Sequence, residues 1–171
     1  HKNFKIEKGY MTTIHSYTSD QRLLDNSHKD LRRARSAPNA MVPTSTGAAK
    51  SLKMIIPELN GKIDGISIRV PTPNVSLVQL SFYSKKKLSK ETINNILLKA
   101  SKTYLKKILG VEQKPLVSTD FNHDTRSSIV DVSLTKVIGN NFGTVYAWYD
   151  NEWGFSNRMI DMSLVIKNKI K

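Results

Sequence analysis

The stretch Tyr10-Met11-Thr12-Thr13-Ile14-His15, continued by Ser16-Tyr17-Thr18, decides how the rest of the chain is read. Its side chains alternate, with Met11, Thr13 and His15 on one face and Tyr10, Thr12 and Ile14 on the other, as a strand requires. In a continuing strand His15 and Thr18 would face opposite ways. A site that used both therefore needs the strand to end or bend near Ser16. The histidine stands among hydroxyl side chains, and the chain contains no cysteine for it to activate. That combination reads as half of an active site.

Downstream lies a polar loop from Ser19 to about Pro43 that carries Arg22, Arg32, Arg33 and Arg35. Loops of this length inside a compact domain are more often functional than idle. Thr46 or Ser45 can cap a helix with the apolar stripe Ala48, Ala49, Leu52, Ile55, Ile56 and Leu59; Pro57 disturbs its last turn and Gly61 lies past its end. Gly65 to Val70 alternates, which predicts Ile66, Ile68 and Val70 inward and Ser67 and Arg69 on the opposite face, before Pro71 and Pro73 stop the strand. Val75 to Tyr83 reads as the next strand. The clearest helix spans about Ser89 to Leu109, with Ile93, Ile96, Leu97, Ala100, Tyr104 and Ile108 at helical spacing and Gly110 at the cap position. Ser127 to Leu134 and Lys136 to Tyr149 read as strands, the latter broken by the turn Gly139-Asn140-Asn141-Phe142-Gly143. Asn157 to Ile170 closes the chain as a helix whose apolar residues surround more than one face, so it is expected to pack on both sides. Consecutive strands with few helices between them give an α+β fold, a mostly antiparallel or mixed sheet with helices packed on one face and a further helix at the C-terminus.

A chain of 171 residues with 39% hydrophobic content supports one core, so residues 1–171 are read as a single domain. It starts at His1 without a basic-then-apolar leader, which reads as a piece of a longer polypeptide. No apolar run approaches the roughly 18 residues of a membrane span. The absence of cysteine excludes disulfides and thiolate metal sites and suits a reducing, cytoplasmic compartment. The formal charge of +13, from 27 basic against 14 acidic residues, can steer anions or hold a polymer non-specifically. Many of the lysines, however, sit in Lys85-Lys86-Lys87, along Lys99 to Lys107, and at Lys167, Lys169 and Lys171, as on solvated helix faces. Neither arginine forks nor stacking aromatics interleave with them, so nucleic acid is not the expected partner. A non-enzymatic basic binding module is kept as a rival.

Taken singly, the chemistry-bearing residues stay ambiguous. His15 can be a hydrogen-bonded sheet histidine, a metal ligand or a catalytic base. His28 and His123 are distant from it in sequence and no short His/carboxylate spacing accompanies them, so no metal site is expected. Thr46-Gly47 before Ala48-Ala49-Lys50 can cradle an anion at a helix start or simply cap it, and it lacks P-loop spacing. Arg69 can grip a phosphate or pair with Asp64. Asn151 and Glu152 can be a turn leading into the last helix.

In order along the chain, Met11–Gln21, Asp30–Arg35, Thr44–Lys50, Pro57–Lys62, Arg69–Ser76, Ser118–Ser128 and Trp148–Arg158 resemble segments of the catalytic domain of phosphorylating glyceraldehyde-3-phosphate dehydrogenase. The resemblance covers essentially the whole chain. It implies that His15 activates a nucleophilic cysteine, that Thr18 and Arg69, with Arg33, hold the substrate's phosphate, that Thr46 and Gly47 hold inorganic phosphate, and that Asn151 positions the nicotinamide carboxamide. The implied reaction is glycolytic: glyceraldehyde 3-phosphate, NAD and inorganic phosphate give 1,3-bisphosphoglycerate and NADH through a cysteine thioester. It further implies a homotetramer in which a helix over residues 156–171 packs on an N-terminal cofactor domain. The cysteine and that domain lie outside this chain, which alone is expected to be inactive. A related sugar-phosphate dehydrogenase, such as erythrose-4-phosphate dehydrogenase, is the nearer alternative. Two departures stand out: Phe155 replaces the usual tyrosine, and Asn26-Ser27 replaces the pair typical of strictly NAD-dependent bacterial forms, so NADP is expected to be tolerated beside NAD.

Overall fold

The alternation at Tyr10–His15 belongs to a longer strand, β1, which spans Ile6–Ser16 in the computed structural model. The structure describes residues 1–170; Lys171 and the side chains of Ala49 and Lys50, and with them the helix-stripe reading of Ala49, lie outside the described residues. After β1 come β2 (Val42–Thr44), α1 (Ala48–Ile55), β3 (Ile63–Val70), β4 (Ser76–Ser84) and α2 (Lys90–Lys102). Then follow β5 (Leu109–Glu112), β6 (Ser128–Asp131), β7 (Lys136–Ile138), β8 (Phe142–Tyr149) and α3 (Trp153–Ile170). The strands form one 8-stranded sheet in the order β2-β3-β1-β4-β8-β6-β5, with β7 also paired to β8. β1–β3 and β5–β6 are parallel and the remaining pairs antiparallel. The mixed sheet of an α+β fold is therefore present.

Alternation along each strand divides the sheet into two faces. One carries Leu80, Phe82, Val130 and Ala147, and it is covered by Leu52 of α1 and by Ile93 and Leu97 of α2. On the other, Val75, Phe121, Ile129 and Trp148 form a smaller cluster in which the Phe121 and Trp148 rings stack with centroids 5.4 Å apart. Elsewhere on that second face Tyr10, Ile14 and Tyr83 are exposed.

Several local expectations are corrected. α1 stops at Ile55; Ile56 turns extended (φ −130°, ψ 82°) and Pro57–Leu59 forms a separate 3-10 turn. Proline lacks the amide a helix needs and pushes the preceding residue out of helical backbone, which explains the break. In β3 the buried side chain is Ser67, whereas Ile66, Ile68 and Val70 are only half-buried. Ser67 lies opposite Thr13 on the helix-covered face, so position in the sheet outweighs hydropathy. α2 ends at Lys102, leaving Tyr104 and Ile108 exposed. The chain turns through Lys107 (φ 69°) into β5, where a Cβ on Gly110 would overlap the Arg126 guanidinium. Gly110 is thus a packing glycine in a strand rather than a helix cap. β2 runs through Pro43, which an edge strand tolerates. α3 begins at Trp153, earlier than Asn157, because the Asp150 carboxylate accepts from the amides of Glu152 (3.1 Å) and Trp153 (2.8 Å) at its start. Met159, Ile160, Met162, Leu164, Val165 and Ile166 on α3 are all exposed, so the expected packing on both sides does not occur within this chain. Among the described residues no helix is long and apolar enough to cross a membrane.

The close approach of β1 and β3 rests on Gly65, where a Cβ would collide with the Met11 carbonyl oxygen. Gly65→Ala is expected to cost about 3 kcal/mol or more, as backbone overlap in a packed sheet does. Gly47→Ala, at a helical backbone position with open space around it, should change stability by no more than about 0.5 kcal/mol. Urea unfolding of both variants checks the contrast, and similar midpoints would contradict it.

Candidate active site

Parallel pairing places His15 directly beside Arg69, at the C-terminal ends of β1 and β3 and on one face of the sheet. The imidazole Nδ1 lies 2.6 Å from the Ser16 carbonyl oxygen and 2.9 Å from Arg69 Nη1. The carbonyl can only accept and the guanidinium can only donate, so Nδ1 serves one or the other according to tautomer. Either way Nδ1 is occupied. No hydrogen bond among the described residues engages Nε2, which makes it the atom free to exchange a proton with a ligand. The Tyr149 ring meets the imidazole edge-to-face, with centroids 6.1 Å apart, and limits its rotation.

Arg69 makes no salt bridge among the described residues, and its buried Nε has no partner. The alternative partner Asp64 instead accepts from the Gly65 amide at 2.8 Å. Arg33, on the long loop, is near enough for its charge to act on Arg69. Its side chain is mostly buried and is held by Asp20, in close contact, and by Asp30 at 3.2 Å. Burial lowers the Arg69 pKa, and the charge of Arg33 lowers it further, against smaller opposing effects of Tyr149 and Asp20. One guanidinium, that of Arg69, touches the imidazole, and it has no carboxylate partner among the described residues, an arrangement complementary to an anion.

Thr18 sits two residues beyond the end of β1, where the strand stops as its use in a site requires. Its amide and hydroxyl both donate to the Gln21 Oε1, at 2.9 and 3.1 Å. Gln21 is itself buried, so this turn is tightly set. Thr18 and Asn151 line one cavity of about 350 Å³, together with Pro73, Asn74, His123 and Trp153. Asn151 donates to the Ser16 hydroxyl in close contact and accepts from the Ser76 hydroxyl at 2.6 Å. Ser16 therefore joins the two groups: its carbonyl meets His15 and its hydroxyl meets Asn151.

The backbone at Asn151 is pinned by its neighbour Asp150. Besides the two α3 amides, that carboxylate accepts from the His123 amide at 2.9 Å and the Asn74 side chain at 2.8 Å. Burial pushes the Asp150 carboxyl up, but the amides of Trp153, His123 and Glu152 and the Asn74 side chain outweigh it and hold the pKa below the ordinary carboxylate value. Glu152 contributes its backbone rather than a functional side chain to this turn.

Thr46 and Gly47 lie between β2 and α1. The Thr46 hydroxyl accepts from the Ala48 amide at 3.2 Å, and a Cβ on Gly47 would meet nothing within 4 Å. Gly47 has ordinary helical backbone angles (φ −79°, ψ −14°), so openness to an incoming group, not a left-handed turn, is what the glycine provides. Among the described residues no hydrogen bond links this pair to His15 or Arg69. No group of three or more metal-ligating side chains occurs among the described residues.

Ser16, Ser76, Gln21 and Asp150 escape sequence reasoning as site residues. Each is a common polar residue: Ser16 and Ser76 meet Asn151 only through the pairing of distant segments, Gln21 meets Thr18 in a local turn, and Asp150 fixes the backbone next to Asn151.

His15 is expected to titrate below the ordinary 6.5, chiefly because burial disfavours the imidazolium, with Arg69 adding to the effect against the Ser16 carbonyl. As the pH falls below 6.5 the unfolded chain takes up a proton that the fold resists. Stability is lost from there down to the folded pKa. Histidine NMR titration checks this, with His15→Gln removing that part of the pH dependence of unfolding; a midpoint at or above 6.5 contradicts it.

The family profile described as glyceraldehyde 3-phosphate dehydrogenase, C-terminal domain, matches residues 1–151. A glyceraldehyde-3-phosphate dehydrogenase of Xanthobacter flavus is 55% identical over 161 residues, 94% of this chain and 48% of that protein. Glyceraldehyde-3-phosphate dehydrogenase 2 of Trichormus variabilis is 54% identical over 166 residues, 97% of this chain and 49% of that protein. The chloroplastic B form of Pisum sativum is 53% identical over 169 residues, 98% of this chain and 38% of that protein. The chain thus spans about half the length of the curated relatives it matches, or less. With the sheet, the His15–Arg69 pair and these matches together, the chain belongs to the glyceraldehyde 3-phosphate dehydrogenase C-terminal domain family.

Proposed function

We propose that this chain is the catalytic half of a phosphorylating glyceraldehyde-3-phosphate dehydrogenase. The observation that carries the proposal is His15 placed against Arg69, an arginine with no carboxylate partner among the described residues. The substrate is glyceraldehyde 3-phosphate, its phosphate held by Arg69, Thr18 and Arg33. Inorganic phosphate is taken at Thr46 and Gly47, where open space adjoins a helix start. His15 Nε2 stabilises a cysteine thiolate supplied by the N-terminal half of the protein, then carries a proton as the aldehyde becomes a thioester and the thioester an acyl phosphate. NAD, when bound, supplies the hydride acceptor. The Asn151 amide, in the cavity it shares with Thr18, keeps one N–H and one lone pair beyond its bonds to Ser16 and Ser76, which fits a carboxamide.

Residues 1–171 form one domain in this reading. The exposed apolar side chains of α3 suit packing on the cofactor domain of a cytoplasmic homotetramer. NADP is also accommodated, because the loop cavity beside Asn26-Ser27 is lined by Arg22, His28 and Lys29 and suits an added phosphate.

In the full-length enzyme, His15→Asn is expected to lower kcat by about 10²–10⁴-fold, the range of general acid–base catalysis. This chain alone should show no turnover, since it offers no thiol. Acyl-phosphate formation that requires inorganic phosphate supports the phosphorylating enzyme. Release of free acid without it would point to an erythrose-4-phosphate-type dehydrogenase. Replacing Asn26-Ser27 by Leu-Pro should raise the NAD to NADP rate ratio, and an unchanged ratio removes the loop from cofactor choice. Polymer binding that falls steeply with salt and ignores Arg69→Ala would favour a basic binding module.

A further inference from the structure

Ser16, Ser76 and Asn151 close a ring of hydrogen bonds across β1, β4 and the turn after β8. The Ser16 amide donates to Ser76 Oγ at 3.1 Å, Ser76 Oγ donates to Asn151 Oδ1 at 2.6 Å, and Asn151 Nδ2 donates to Ser16 Oγ. Ser16 is fully buried and Ser76 is 1% exposed, so water does not stand in for a missing partner. An amide nitrogen can only donate, so Ser76 spends a lone pair on Ser16 and its single proton on Asn151. If the Asn151 amide flipped, its nitrogen would face the Ser76 hydroxyl and that buried proton would have to turn to the neighbouring Tyr149 hydroxyl, so the ring favours the orientation it has. Beside it, Val75 holds φ at 65°, an uncommon backbone for a β-branched residue, and is kept there by burial against Phe121 and Ile129.

We propose that Ser76 is a positioning residue that fixes which way the Asn151 carboxamide faces, and through it which face of the nicotinamide meets the substrate. The proposal rests on the reading that Asn151 binds the nicotinamide carboxamide. A fixed amide offers the cofactor one N–H and one lone pair in a set order, and only one orientation of the ring's own carboxamide answers both. A freely flipping amide accepts either orientation. The nicotinamide could then turn over and present its opposite face.

The test uses the full-length enzyme with glyceraldehyde 3-phosphate deuterated at its aldehyde carbon, comparing Ser76→Ala, Ser76→Thr and Asn151→Ala. The wild type should deliver deuterium to one prochiral position of the reduced nicotinamide. Ser76→Ala should raise KM for NAD by about tenfold, the effect of losing one hydrogen bond of ordinary net worth. It should also place deuterium at both positions while KM for the aldehyde is unchanged, and Ser76→Thr should restore both properties. If Ser76→Ala does not fold, Ser76→Cys, close in size and a much weaker donor, takes its place with the same expectation. A merely structural role would lower thermal stability without moving the deuterium, and that result overturns the proposal. Should Asn151→Ala alone change KM for NAD and deuterium placement, Ser76 has no positioning role. If neither substitution affects them, Asn151 does not bind the nicotinamide and the underlying reading falls first.

Discussion

The parallel register between β1 and β3 is the constraint on which the remaining features depend. Because Thr13 pairs with Ser67, His15 must pair with Arg69 and Ser16 with Val70. A slip by one residue would send His15 and Arg69 to opposite faces. Neighbours enforce the register from both sides. β4 pairs antiparallel along β1, and β2 lies on the outer edge of β3 with the Thr44 hydroxyl donating to the Ser67 carbonyl at 3.2 Å. Parallel strands cannot be joined by a tight turn. The connection from Ser16 back to Ile63 therefore has to travel, and the long loop, β2 and α1 are what it contains. Arg33 and the Thr46-Gly47 pair are both carried on that return path.

The electrostatics of the cluster follow from this packing. Burying a guanidinium without a carboxylate is unfavourable, and the chain accepts that cost at Arg69 while satisfying Arg33 with Asp20 and Asp30. The two arginines differ accordingly: Arg33 is fixed by its own ion pairs, and Arg69 keeps its charge available. An oxyanion at Arg69 would supply the partner it lacks. His15 responds to the same surroundings, since burial and Arg69 disfavour its charged form. Around this cluster position is held by hydrogen bonds: a ring of neutral serine and asparagine side chains, and the Asp150 carboxylate, whose charge is met by backbone and side-chain N–H donors.

Much of the sheet is legible in the sequence because its strands alternate, as β1 and β4 do; β3 is in addition ended by Pro71 and the β7–β8 hairpin is marked by Gly139 (φ 62°), while the last helix is legible from its run of apolar residues. What is not legible depends on partners far away in the chain. Gly110 looks like a helix cap locally and is a strand glycine because Arg126 lies over it. Ser67 looks like an outward residue and is buried because Thr13 and the helices lie on its side. Of the candidate site, His15, Arg69 and Asn151 are ambiguous when read singly and are picked out in the sequence only by the family resemblance. That Arg69 has no carboxylate partner among the described residues and that Ser76 reaches Asn151 emerge only once the strands are in register, and that Gln21 sets Thr18 emerges only from the turn after β1. Thr46 and Gly47 read locally as either an anion cradle or a plain helix start, and among the described residues no hydrogen bond joins them to the cluster.

The most direct measurement is the position of a bound oxyanion. Crystals of the protein grown in phosphate, compared with Arg69→Met crystals from the same solution, report whether the cluster is an anion site. The expected result is phosphate within hydrogen-bonding distance of the Arg69 guanidinium, and its loss in the variant with the sheet unchanged. A cluster without phosphate in crystals that bind phosphate elsewhere, or an equally occupied site in Arg69→Met, would contradict the assignment of these residues to substrate phosphate.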